Sequence, residues 1–205
     1  MLLRVLLDDS PADFDCSGLL TLGDLLQRTE ENVPGRVVTG ISADGEELDL
    51  AERPDWAGRR LEGLEPLAFQ TAALPELVPE ILEELQGHFP VLRETLERAS
   101  EALRSGREGE AMEALGQVVV LWQVCLQVVG DATSALGVQL ESVTVGAETL
   151  ARRVERLRLA ATPLEEALRR GDLVLVGDLC AYEMPPLVDQ WEEAVQALRT
   201  LADPS

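Results

Sequence analysis

The residues best suited to chemistry lie in one short segment, Asp178-Leu179-Cys180-Ala181-Tyr182-Glu183-Met184-Pro185-Pro186. At helical spacing Asp178 and Tyr182 stand one turn apart, with Glu183 beside them. A functional assignment makes Cys180 a nucleophile, or Tyr182 and Glu183 an acid–base pair. A structural assignment buries Tyr182 with its hydroxyl satisfied and lets a carboxylate meet backbone amides freed by the two prolines. The structural assignment is favoured.

Little else in the chain offers catalysis. The only histidine, His88, falls in Gln86-Gly87-His88-Phe89-Pro90 with no nucleophile or carboxylate placed beside it, and reads as a loop residue. Cys16, Cys125 and Cys180 are an odd number at no metal-like spacing, which fits a reducing cytoplasm. There is no G-x-G-x-x-G, and all 17 basic residues are arginine, so Schiff-base and P-loop lysine chemistry are excluded. No residue is assigned as catalytic, metal-ligating or cofactor-binding, and the protein reads as a non-enzyme.

Against 38 acidic residues those arginines leave a net charge of −21, which argues against nucleic acid as a partner because phosphate neutralisation carries most of that affinity. Arg152-Arg153-Val154-Glu155-Arg156-Leu157-Arg158 is the one strongly basic patch. It could dock an acidic partner or the chain's own C-terminal carboxylate. Internal pairing of Arg152, Arg153 and Arg156 with glutamates on neighbouring helices is the simpler assignment.

The elements that must position these residues fall into two parts, 1–73 and 74–205. In the first, Leu2 to Leu7 reads as a strand closed by a loop at Asp8-Asp9-Ser10-Pro11. Thr21-Leu22-Gly23-Asp24 has the form of a capping box, and Leu22, Leu25, Leu26 and Val33 mark a helical face stopped by Pro34-Gly35. Two strand candidates, 36–42 and 46–50, flank Asp44-Gly45, a hairpin signal because both turn positions tolerate positive φ. A last strand runs from Leu67 to Thr71. Strand, helix, hairpin and strand make a small α+β unit, β-grasp-like in outline.

From Leu74 the period becomes 3.6. Leu77, Ile81, Leu85, Leu92, Leu96 and Leu103 predict a helical segment ended by Ser105-Gly106, its first half broken or kinked by Pro79, Gly87 and Pro90. A second helix spans about Glu108 to Leu136. Its middle, 118–129, is apolar nearly all round, which predicts a helix surrounded by other elements. Its longest unbroken apolar run, Val118 to Trp122, is far short of the ~20 residues of a membrane span. A third helical stretch, Ala147 to Arg170, is expected to be interrupted at Pro163, and a fourth, Asp172 to Leu201, to break at Pro185-Pro186. In the last, Leu187, Trp191, Val195 and Leu198 form one stripe. The fold class is α+β: a small N-terminal unit followed by an antiparallel four-helix-type bundle.

The C-terminal half resembles the flagellin-export chaperone family of small helical bundles, in Leu96-Glu97-Arg98-Ala99-Ser100-Glu101-Ala102-Leu103-Arg104-Ser105-Gly106-Arg107-Glu108-Gly109-Glu110-Ala111 and in Pro186-Leu187-Val188-Asp189-Gln190-Trp191-Glu192-Glu193-Ala194. The whole chain is also similar to uncharacterised bacterial proteins sharing Val37-Val38-Thr39, Asp44-Gly45-Glu46-Glu47-Leu48 and Gly171 to Leu179 with Tyr182-Glu183 and Trp191. The chaperone family lacks an N-terminal α+β unit, and its tyrosine-bearing N-terminal segment has no counterpart here. The resemblance implies a cytoplasmic protein-binding module that holds an amphipathic segment of a client, flagellin-like or other, in an apolar groove. Trp122 and Trp191 are the expected anchors of the fold or the groove, with Tyr182, Asp178, Glu183 and the arginines as further contact candidates. Two other functions remain open: a homodimer without client, and a small enzyme or ligand-binding domain centred on Asp178–Glu183.

Overall fold

The computed structural model describes residues 4–12, 15, 17–64 and 66–203. The chain divides into two compact units, with the boundary between Leu77 and Val78. Leu2 and Leu3 of the first expected strand, and Cys16, lie outside the described residues.

In the first unit β1 (Val5–Leu7) turns back into β2 (Ser10–Pro11), so the expected loop is a tight hairpin. Asp8 and Asp9 both take positive φ, which their short polar side chains tolerate. The Asp8 carboxylate accepts from the Thr71 hydroxyl at 2.8 Å and the Thr71 amide at 2.7 Å, and these two bonds hold its carboxyl below the usual range. Helix α1 (Leu22–Asn32) opens on the expected capping box: Thr21 Oγ1 accepts from the Asp24 amide, and the Asp24 carboxylate accepts from the Thr21 amide. Strands β3 (Arg36–Ala43) and β4 (Glu46–Leu48) meet at Asp44-Gly45, both at positive φ. A short helix α2 (Arg53–Trp56) precedes β5 (Leu67–Ala73).

The sheet order is β2-β1-β5-β3-β4, with β1 and β5 parallel and the other pairs antiparallel. That is the β-grasp-like arrangement of the expected α+β unit. Leu22, Leu25 and Leu26 of α1 close a core with Ile41, Leu67, Phe69 and Trp56, whose indole N–H donates to the Asp49 carbonyl.

The boundary falls inside α3 (Leu74–Gln86), and the second unit continues with α4 (His88–Arg104) and α5 (Glu108–Ala135). A short hairpin β6 (Thr144–Val145) and β7 (Glu148–Thr149) follows, then α6 (Leu150–Arg170), α7 (Leu173–Asp178) and α8 (Met184–Ala202). The hairpin occupies residues expected to begin the third helix; Gly146 at positive φ makes its turn, and Thr149 then caps α6.

Several expectations are corrected. α3 and α4 are separate helices, parted at the expected break Gly87, and the buried row runs in one phase through both, Val78, Leu82, Leu85, Phe89, Leu92 and Leu96, while Ile81 of the expected stripe is exposed. His88 is the first residue of α4, its Nδ1 3.0 Å from the Glu84 carbonyl oxygen, and not a loop residue. α6 runs unbroken through Pro163, which is exposed, on a face where a carbonyl left without its donor can meet water. Pro185 and Pro186 do not break the chain either. They sit in the first turn of α8, and residues Leu179–Glu183 before them form a π turn with the Met184 amide bonded to the Leu179 carbonyl. A proline ring clashes with the carbonyl four residues back, and the wider turn relieves that crowding while the chain stays helical.

The largest correction concerns α5. The element packed on most sides is α4, which contacts α5, α7, the π turn and α8. Small residues Ala99, Ser100 and Ala102, all fully buried, let its neighbours approach. α5 instead lies at the edge: it packs chiefly on α4, and Met112, Val119, Val120, Val124 and Leu126 face solvent. By length and composition α5 is the one helix among the described residues that could cross a membrane, contrary to the estimate from its longest apolar run. Its buried arc nevertheless belongs to the bundle core, with Ala111, Leu115, Val118, Trp122, Cys125 and Val129 inside.

The capping box is a local device with a measurable worth. Thr21→Ala is expected to lower the stability of the N-terminal unit by about 1 kcal/mol in urea denaturation followed by circular dichroism.

Candidate functional site

The Asp178–Glu183 segment is split by the π turn. Cys180 is fully buried, and Tyr182, expected inside, is 69% exposed. Among the described residues neither the Tyr182 hydroxyl nor the carboxylates of Asp178 and Glu183 has a hydrogen-bond partner, so no acid–base pair and no backbone network forms there. Cys180, Ala181 and Tyr182 do line an open pocket of about 320 Å³ with Pro185 and four α4 side chains, Arg93, Glu97, Ser100 and Arg104. Arg93 is committed to Asp189 at 2.8 Å and to Glu192, which together raise its affinity for its proton. Arg104 donates to Ser100 Oγ at 2.8 Å and meets no carboxylate among the described residues. Burial pushes the Cys180 thiol up to about 11, so at neutral pH it is a thiol and a poor nucleophile.

The arginine patch is mostly consumed internally. Arg153 is buried and clamps the β6–β7 hairpin to α8: it donates to the Val145 carbonyl at 3.1 Å, to the Gln190 carbonyl, and to Glu193 at 3.2 Å. Arg156 pairs with Glu148 and donates to Gln190 Oε1 at 2.9 Å. Arg158 pairs with Glu155 one turn away. Arg152 is exposed and makes no ion pair among the described residues. Of the pairs expected with neighbouring helices only Arg153–Glu193 is of that kind, since Glu148 lies on the hairpin and Glu155 on α6 itself.

Trp122 of α5 and Trp191 of α8 meet edge to face, ring centroids 5.9 Å apart at 73°. Both are buried, and neither indole N–H has an acceptor among the described residues. They belong to the core of the bundle unit. An unpaired buried N–H costs about 1–3 kcal/mol, so the aromatic contact and the apolar area around it must outweigh that loss.

The surface that stands out was not singled out as a site by the sequence. From Ala114 to Gly130 α5 carries no charged side chain. Half of that stretch is core, but Val119 at 51% and Val120 at 56% exposure, with Val124 and Leu126, leave the outer face uncharged and largely apolar. On the α4 side this face opens a groove of about 450 Å³, lined by Val91, Thr95, Glu113, Gly116, Gln117, Val120 and Leu121. Val91 is 49% exposed at its edge. Soluble surfaces normally intersperse charge, and contiguous exposed apolar patches mark contact sites. The signal was present in the sequence as an uncharged run; the error was to assign all of it to burial.

A family model, Domain of unknown function (DUF8042), matches residues 80–194, more than half of the chain. The match spans the groove, the tryptophan pair and the π turn. No match was found among curated proteins or among solved structures.

Two outcomes follow from the buried groups. Trp191→Ala and Trp122→Ala are each expected to cost ~3–5 kcal/mol in urea denaturation, and the double variant less than their sum because the rings share one contact. Burial raises the Cys125 thiol to about 12 and the Cys180 thiol to about 11, above their unfolded value of 9.0. Their contribution to stability is therefore complete below about pH 9 and is lost as the pH rises toward 11–12. The urea midpoint of the bundle unit should fall over that window. Alkylation of the native protein at about pH 8 should leave both cysteines unmodified in mass-spectrometric mapping.

Proposed function

The chain belongs to the family described as Domain of unknown function (DUF8042), and we propose that it is a non-enzymatic protein-binding module of the cytoplasm. Its bundle unit takes an amphipathic helical segment of a client protein in the groove between α4 and α5, as an export chaperone or adaptor does. The observation that carries this reading is the uncharged, half-exposed face of α5 beside Val91. A helix laid in such a groove is read through apolar anchors at i, i+3, i+4 and i+7. Val91, Val120 and Leu121 offer the apolar contact, and Glu113 on the rim favours a client helix with a basic residue flanking its stripe. A helix-rich filament protein of the flagellin kind is the client class to which the resemblance of the helical half points. The enzyme alternative has weaker support, since the Cys180 thiol is raised and Asp178 and Glu183 do not line the neighbouring pocket.

Affinity capture from lysate of the source organism, run in parallel with wild type and with the Val91→Glu/Val120→Glu double variant, tests the proposal. Both sites are exposed, so the variant should keep the native circular dichroism spectrum and melting temperature. The expected result is a client retained by wild type and lost with the variant, and direct titration of its helical segment that repeats the difference. Identical protein sets from both baits would overturn the reading.

A further inference from the structure

α5 carries a second exposed row, which meets the groove at Gly116. Met112, Gly116, Val119, Gln123, Leu126 and Gly130 are all exposed and recur at spacings of four and three, the a/d repeat of a coiled-coil seam. On the helix this row lies opposite Leu121, which faces the groove. We propose that this row is a homodimer seam, paired antiparallel with the same row of a second copy about a two-fold axis at position 121.

Three observations select a second copy over other occupants. First, the row is self-complementary in that register. Met112 meets Gly130 of the second copy, Leu126 meets Gly116, and Val119 meets Gln123, so the largest side chains oppose positions without one. A side chain at Gly116 or Gly130 would meet no atom within 4 Å of its Cβ, so the space over each glycine is open to a knob from outside. Glycine costs helix stability in a helix interior, and two of them on an exposed row are what close approach of another helix requires. Second, charge permits this contact. In a chain of net charge −21 a two-fold contact brings like surfaces together, and every seam position but Met112 lies in Ala114 to Gly130, a stretch without carboxylates, which leaves Glu113 and Asp131 only at the two ends. Third, Gln123 is the one polar residue in the row, and a lone polar residue in an apolar seam fixes register and orientation. The seam shares Gly116 with the groove lining, so pairing and occupation of the groove meet at that residue.

Sedimentation equilibrium of the full chain reads the proposal. The seam is a single helix face about 27 Å long, at the small end of stable interfaces, so wild type is expected to pass from monomer to dimer at micromolar concentration. Gly130→Leu puts a leucine against Met112 and should weaken the dimer about tenfold or more, although it strengthens the helix and adds apolar surface. Adding Met112→Ala should restore most of the affinity. Leu126→Glu should abolish the dimer, while Leu159→Glu, the same charge at an exposed apolar site on α6, should not. A wild type that stays monomeric at about 200 µM overturns the proposal. So does a Gly130→Leu variant that associates as tightly as wild type, because an unspecific apolar face gains from the extra leucine. Failure of Met112→Ala to restore pairing, or equal dissociation by Leu159→Glu, overturns it as well.

Discussion

A helix can bury only the arc that its neighbours cover, and the surface of the bundle unit is governed by how α5 meets that limit. With α4 along one flank and contact to α8 through the tryptophan pair, α5 hides Ala111, Leu115, Val118, Trp122, Cys125 and Val129 and leaves the rest of its circumference open. An open arc on a soluble helix is ordinarily filled with Glu, Arg and their counterparts, as on α4 and α6. On α5 it is filled with valine, leucine, glutamine and glycine. The core therefore needs only half of the apolarity that this helix carries, and the surplus is a property of the surface.

The other helices show where the charge went. Arginines tie α8 to its neighbours: Arg93 to Asp189 and Glu192, Arg199 to Glu83, Arg153 to Glu193. The exposed members of such pairs add little each. Arg153 differs because it is buried and its donors are spread over two carbonyls and a carboxylate, so removing it would undo three contacts between the hairpin and α8 at once. With acidic residues outnumbering arginines more than two to one, the remaining surface is acidic. A contact face that had to admit another acidic chain could not be built there.

Local chemistry was legible in the sequence where one residue type has one physical use. Thr21 with Asp24 could only be a cap, Asp44-Gly45 could only be a tight turn, and Leu187, Trp191, Val195 and Leu198 all lie inside. What was not legible depended on neighbours. Ser10-Pro11 becomes a strand because Asp8 and Asp9 turn the chain back on β1, and no propensity of its own announces it. The prolines at 163, 185 and 186 looked like breaks because their cost was counted without the relief that an exposed face or a widened turn supplies. The stripe through Leu77 and Ile81 was one of two rows that share Leu85, and the neighbours cover the other, Val78 and Leu82.

The same distinction separates the two candidate sites. Asp178, Cys180, Tyr182 and Glu183 drew attention as chemically capable types at close spacing. Spacing along a helix says nothing of which side is covered: the π turn puts Cys180 in the core, where its thiol keeps its proton, and Tyr182 in water. The α5 face holds no capable group at all. Its content is an omission of charge over seventeen residues, 114–130, in a chain that is acidic elsewhere. Keeping charge off half-exposed positions brings a solubility cost that a purely structural helix has no reason to bear. Burial of the inner arc explains Trp122 and Cys125; it does not explain Val119, Val120, Val124 and Leu126, and it is on these that the proposal of a partner surface rests.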